Sequence, residues 1–132
     1  MISLQIEPAS IFPGHRASMG TRNAPSQLVF FSLRNGVMQG RVTEYDPPNA
    51  LAYLWGEDAA TSSEVRYELT AKGDETYLVL THRRLSAEQI NSVAAGWHTH
   101  LDILIARLSN TEPEGFWRQH TRLEREYAQR LR

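Results

Sequence analysis

His98, His100 and Asp102 alternate over five residues of the sequence. Histidine and carboxylate together can bind a metal or pass a proton, provided the side chains converge. On a helix, residues two apart point roughly 200° away from each other, so His98 and His100 do not meet on one ion. His98 and Asp102, four apart, share a face. Such a pair is either a structural hydrogen bond or an acid–base and ligand-orienting pair. His82 alternates with Leu78 and Leu80. An imidazole there is a satisfied core group, a donor to a ligand carbonyl or carboxylate, or a general base. Leu51, Tyr53 and Trp55 alternate in the same way, and with Tyr67 and Trp97 they supply either core packing or the walls of an aromatic pocket with polar tips. Glu57 and Asp58 are adjacent carboxylates just after Trp55-Gly56, where a solvated loop is the simplest reading.

The rest of the composition narrows the chemistry by exclusion. With 132 residues the chain makes one domain with a modest core. Fourteen Lys plus Arg against fifteen Asp plus Glu give a net charge of -1, so no overall field draws nucleic acid or an anionic membrane. The absence of cysteine removes disulfides, thiol nucleophiles, zinc ribbons and iron–sulfur clusters. No Gly-rich phosphate loop, Gly-x-Ser-x-Gly elbow or His-Glu-x-x-His pair occurs. No apolar run reaches the roughly 20 residues that span a bilayer, and Met1 to Glu7 lacks the regions of a signal peptide. The expectation is a cytoplasmic protein with no metal, no cofactor, no membrane and no nucleic acid.

These residues must be held by elements that the patterning predicts. Residues 1–26 are irregular: Ile2, Leu4 and Ile6 alternate as in a short strand, and Pro8, Pro13, Gly14, Gly20 and Pro25 then interrupt any period. Leu28 to Leu33 is a strand running into Asn35-Gly36, a pair suited to a tight hairpin turn. The second arm, Val37 to Tyr45, stops at Asp46-Pro47-Pro48-Asn49, and Ala50 to Trp55 follows. Ser63 to Ala71 places Val65, Tyr67 and Leu69 opposite Glu64, Arg66 and Glu68, and Lys72-Gly73-Asp74 turns it into Glu75 to Arg83. The middle of the chain is an antiparallel meander. Ser86 to Gln89 matches a capping box, so a long helix begins there, with Ile90, Val93, Ala94, Trp97, Leu101, Leu104, Ile105 and Leu108 as a wide apolar stripe facing the sheet. Asn91, Thr99, Asp102 and Arg107 fall elsewhere on that wheel. After Asn110 to Pro113 a second helix runs from about Glu114 to Leu131, with Phe116, His120, Leu123, Tyr127 and Leu131 on one stripe. Arg122, Glu124, Arg125 and Glu126 make a charged surface, while Phe116, Trp117 and Tyr127 are candidates for a partner contact.

Four segments in order carry a resemblance: Gly40-Arg41-Val42-Thr43-Glu44-Tyr45-Asp46-Pro47-Pro48, Leu51-Ala52-Tyr53-Leu54-Trp55-Gly56, Leu78-Val79-Leu80-Thr81-His82-Arg83 and Ala95-Gly96-Trp97-His98-Thr99-His100-Leu101-Asp102. From Gln27 to Leu108 the chain resembles the START-like (SRPBCC) superfamily, within it the branch of homologues of the heat-shock chaperone ATPase activator. The resemblance implies an α+β helix-grip fold: a curved antiparallel sheet packed on a long C-terminal helix, here with an extra terminal helix, and an apolar cavity in the grip. Members begin with a strand and two short helices. No two helical patterns precede Gln27 here, although Ile2 to Ile6 can replace the strand. Either the start is shortened, or another protomer or a swapped strand covers the open sheet edge.

The function expected from this reading is a small-molecule-binding module. An apolar or amphipathic ligand would meet Tyr53, Trp55, Tyr67, Leu80, His82, Trp97, His98 and Leu101. Two alternatives stand beside it. One is a protein-interaction or chaperone-ATPase-activator-like module, self-associating as a homodimer. The other is a cyclase, dehydratase or hydrolase using His82 or the His98–Asp102 pair.

Overall fold

The computed structural model describes residues 2–8, 28–33, 36–56 and 60–130. Contacts divide the chain into two compact units, Met1–Leu85 and Ser86–Arg132. The first unit is a six-stranded sheet of β1 (Ile2–Pro8), β2 (Leu28–Leu33), β3 (Gly36–Asp46), β4 (Ala50–Trp55), β5 (Ser63–Lys72) and β6 (Glu75–Leu85), in the order β1-β6-β5-β4-β3-β2. From β2 to β6 every neighbour is antiparallel, the meander that alternating residues and short turns dictate. β1 instead lies parallel to β6, with Leu4 opposite Leu80. The alternation at Ile2 to Ile6 foretells a strand but not its partner or direction, because period two sets only the face.

The turns follow their residue types. Asn49 N–H donates to the Asp46 carbonyl at 2.7 Å and its side-chain amide reaches the Asp46 carboxylate, closing the reversal between β3 and β4. Gly73, at φ +60°, takes the left-handed position between Lys72 and its partner Glu75. Asn35, expected in the β2–β3 turn, lies outside the described residues, as do Glu57 and Asp58.

Two irregularities set which side chains share a face. The ladder between β3 and β4 slips between Val42 and Glu44, so Thr43 bulges and Tyr45 joins the face that carries Val42. On β6, Arg84 has φ +62° and the register with β1 skips it. That kink shifts the alternation: Leu85 is buried, while Arg84 is exposed. One face therefore carries Leu51, Tyr53, Trp55, Ser63, Val65, Tyr67, Leu69, Leu78, Leu80 and His82. The other carries the charges. Glu44, Ala52 and Arg66 lie in one row across β3, β4 and β5, and the guanidinium spans the small Ala52 side chain to reach Glu44 at 2.8 and 3.2 Å, with Glu68 as a second partner. Ala52, beneath this bridge, is 3% exposed. The hydrogen bonds to Glu44 strengthen the cation's hold on its proton.

The second unit is helical, with α1 (Ile90–Leu108) and α2 (Phe116–Arg130). The predicted capping box forms only in part. Gln89 accepts from the Ser86 N–H and hydroxyl, but no side chain caps the helix, and α1 starts one turn later than Ser86. At its end, Asn110 adopts φ 52°, Asn110 N–H donates to the Arg107 carbonyl and Thr111 N–H to that of Ala106, a Schellman closure with Asn in the left-handed position.

α1 is apolar on two sides. Besides the predicted stripe it has a row of small residues, Ser92, Ala95, Gly96 and Thr99, against which α2 packs: the His120 ring touches the Ser92 carbonyl at 3.2 Å and lies beside Gly96. Thr99, which falls off the predicted apolar stripe, is fully buried, its hydroxyl donating to the Ala95 carbonyl at 2.8 Å so that it needs no water. The predicted stripe, in turn, is not buried throughout. Ala94 and Leu101 are, whereas Leu104, Ile105 and Leu108 are 39%, 45% and 73% exposed.

Candidate functional site

The core face of the sheet converges on Val65, which is completely buried. Tyr53 and His82 are its direct neighbours on β4 and β6, and Ser63 and Tyr67 flank it on β5. Side chains diagonal across a ladder are close enough for long groups to meet. Two hydrogen-bonded pairs result. The Tyr53 and Tyr67 hydroxyls lie 3.2 Å apart, with their rings tilted at 36°. On the other side of Val65, His82 Nε2 and Ser63 Oγ are 2.8 Å apart, either Oγ–H donating to Nε2 or Nε2–H to Oγ according to the tautomer. The Trp55 ring stands 5.4 Å from the His82 ring at 31°.

In each pair one partner is sunk and the other is half-buried. Tyr53 is 4% exposed and His82 1%. Ser63, Tyr67 and Trp55 are half-buried. Burial decides the protonation. It lowers the His82 pKa to about 4, so the imidazole is neutral at pH 7. It raises both tyrosines, so both hydroxyls keep their protons. The arrangement is a set of neutral donors and acceptors on an apolar floor that includes Leu80, itself fully buried. Gly56 holds the adjoining end of β4. At φ +130° a side chain is strained there, and a Cβ would meet Ser62 Oγ at 2.5 Å.

Of the residues singled out in the sequence, Tyr53, Trp55, Tyr67, Leu80 and His82 thus come together on one face of the first unit. Ser63 was missed, although it has the same parity as Val65 and Tyr67 and could have been found by extending that alternation one step. Trp97, His98 and Leu101 belong to the second unit. There Trp97 is half-buried beside His100, at 6.3 Å between rings, and Leu101 is 8% exposed. His98 spans a polar cluster between α1 and α2. Its Nε2 is 3.5 Å from Asp102, its Nδ1 is 3.1 Å from the Tyr127 hydroxyl, and Gln119 donates to the same Asp102 oxygen. Tyr127, a candidate for an external contact, therefore bonds within its own unit. Phe116 does so too, with the His100 ring at 5.0 Å, while Trp117 is 56% exposed. Arg122 pairs with Glu114 at 2.9 Å and Glu126 at 3.8 Å. Among the described residues no three metal-ligating side chains converge, and no helix is long and apolar enough to cross a membrane.

A curved, largely antiparallel sheet with a long helix after its last strand is the α+β helix-grip class, and the comparisons place the chain within it. It belongs to the family described as activator of Hsp90 ATPase homolog 1-like protein, whose model matches residues 13–109, a START-like family of the SRPBCC type. Among solved structures it is similar to the crystal structure of CalU16 from Micromonospora echinospora, at 27% identity and a TM-score of 0.57. That match covers 75% of this chain, which spans 61% of the other. A search of curated proteins gave no match.

Proposed function

We propose that the protein is a small-molecule-binding module whose apolar or amphipathic ligand lies against the Trp55, Tyr67 and Ser63 side of the sheet. The observation that carries this reading is the grouping of four neutral hydrogen-bonding side chains, Tyr53, Ser63, Tyr67 and His82, around the buried Val65 and Leu80. Membership of a START-like family supports it. Burial of apolar ligand area, at roughly 25 cal/mol per Å², would supply the affinity, and the polar tips would set orientation. A fluorescence titration with Nile red tests it. Saturable binding by the wild type, weakened on the order of tenfold in Tyr67→Ala, is the expected result. The same titration with Trp97→Ala asks whether α1 contributes a contact. Absence of saturable binding to the folded wild type contradicts the proposal.

A second reading, a protein-interaction module that self-associates, draws on the exposed row Leu104, Ile105 and Leu108 of α1. Sedimentation at high protein concentration separates the two, because a strictly monomeric chain is incompatible with self-association.

A further inference from the structure

The hydrogen-bonding side chains grouped around Val65 on the core face of the sheet are all uncharged types at neutral pH. Around Val65 the hydrogen-bonded side-chain groups of this face are two phenol hydroxyls, one serine hydroxyl and one imidazole. The sheet's described charges lie elsewhere. Glu44, Glu64, Arg66 and Glu68 are on the opposite face, and Arg66 is already engaged by Glu44 and Glu68. Arg83, next to His82 on β6, pairs in register with Glu64 and so belongs to the opposite face, and Arg84 beyond it is exposed at the left-handed kink. A carboxylate or ammonium brought to this face would lose its water with no opposite charge among the sheet's described residues on that face to replace it. An uncharged oxygen loses far less, since hydroxyl and imidazole groups can donate to it or accept from it.

We propose, building on the binding reading above, that the ligand of this face carries an uncharged oxygen group, a ketone, alcohol or phenol, which hydrogen-bonds to Tyr67 or Ser63. Tyr53 and His82, the sunken member of each pair, act as positioning residues: each fixes the hydroxyl of its half-buried partner through a bond of 3.2 or 2.8 Å. Carboxylic acids and alkylamines of the same shape are excluded at neutral pH.

The test uses four naphthalene probes at pH 7: naphthalene, 2-naphthol, 2-naphthoate and 2-(aminomethyl)naphthalene. Binding to the full chain is followed through the methyl resonances of valine, with Val65 reporting this face. Naphthol is expected to bind more tightly than naphthalene, and naphthoate and the ammonium probe more weakly than naphthol by on the order of tenfold or more. In Tyr53→Phe/Tyr67→Phe or in Ser63→Ala, according to which hydroxyl holds the probe, naphthol should fall to the affinity of naphthalene while the Val65 response to naphthalene persists. Equal binding of naphthol and naphthoate, or a naphthol preference unchanged in both the tyrosine double variant and Ser63→Ala, overturns this inference and leaves the binding reading standing. No Val65 response to any of the four overturns both.

Discussion

Protonation of His82 should cost the fold much of its stability in mild acid, and the structure gives the size. In the unfolded chain the imidazole takes a proton below about 6.5, whereas in the native protein it does so only below about 4. Between those values the unfolded state holds more protons, so stability rises with pH across the window. His82 contributes fully above about 6.5, and its contribution is lost as the pH falls to about 4. The full gap corresponds to a little over 3 kcal/mol, roughly 2 to 3 kcal/mol of it expressed between pH 7 and pH 4, a substantial part of the stability of a small domain. Burial is the cause: the ring is 1% exposed, and the bond to Ser63 Oγ offers no counter-charge to an imidazolium. Urea unfolding at intervals from pH 7 to pH 4, on wild type and His82→Gln, isolates this residue from the other titrating groups. The wild type should lose about 2 to 3 kcal/mol more than the variant over that range. Parallel profiles would refute the reasoning. An NMR titration of the His82 ring protons in the wild type gives an independent reading, and a midpoint near 6.5 would refute it equally.

Two further substitutions test local geometry. Gly56→Ala should destabilise by about 1 to 3 kcal/mol, since it combines φ +130° with a 2.5 Å approach to Ser62 Oγ. Adding Ser62→Ala should recover part of that loss in thermal unfolding but not the backbone share. At the end of α1, Asn110→Gly should leave stability equal or higher, whereas Asn110→Val should lower it by about 1 to 2 kcal/mol, because φ 52° tolerates glycine and penalises a β-branched residue. Equal melting temperatures for the two variants would contradict the assigned helix closure.

Much of the sheet was legible because period two is a strong signal where one face is apolar. Val65, Tyr67 and Leu69 against Glu64, Arg66 and Glu68 could be sorted by eye, and the hydrogen-bond register places them so. The pairing within the core face was not legible. Which tyrosine meets which, and that His82 finds Ser63, depends on diagonals set by the β4–β5 and β5–β6 registers, which no single strand encodes. The parallel partnership of β1 was hidden for the same reason. In the helices, leaving a threonine off the apolar stripe misled. Thr99 satisfies its hydroxyl on Ala95 and then behaves as a small core residue, so the face of α1 that receives α2 went unread. The apolar stripe identified α1 itself, although apolar type alone could not tell that Leu108 would be 73% exposed.

Native mass spectrometry of the protein purified from its own host, without denaturation or added ligand, addresses the binding claim most directly. The account predicts a mass above that of the 15.0 kDa chain, with the excess released by acid or organic solvent and reduced in Tyr67→Ala. A bare chain mass from the folded wild type, unchanged after incubation with a lipid-soluble extract of the same cells, would contradict it.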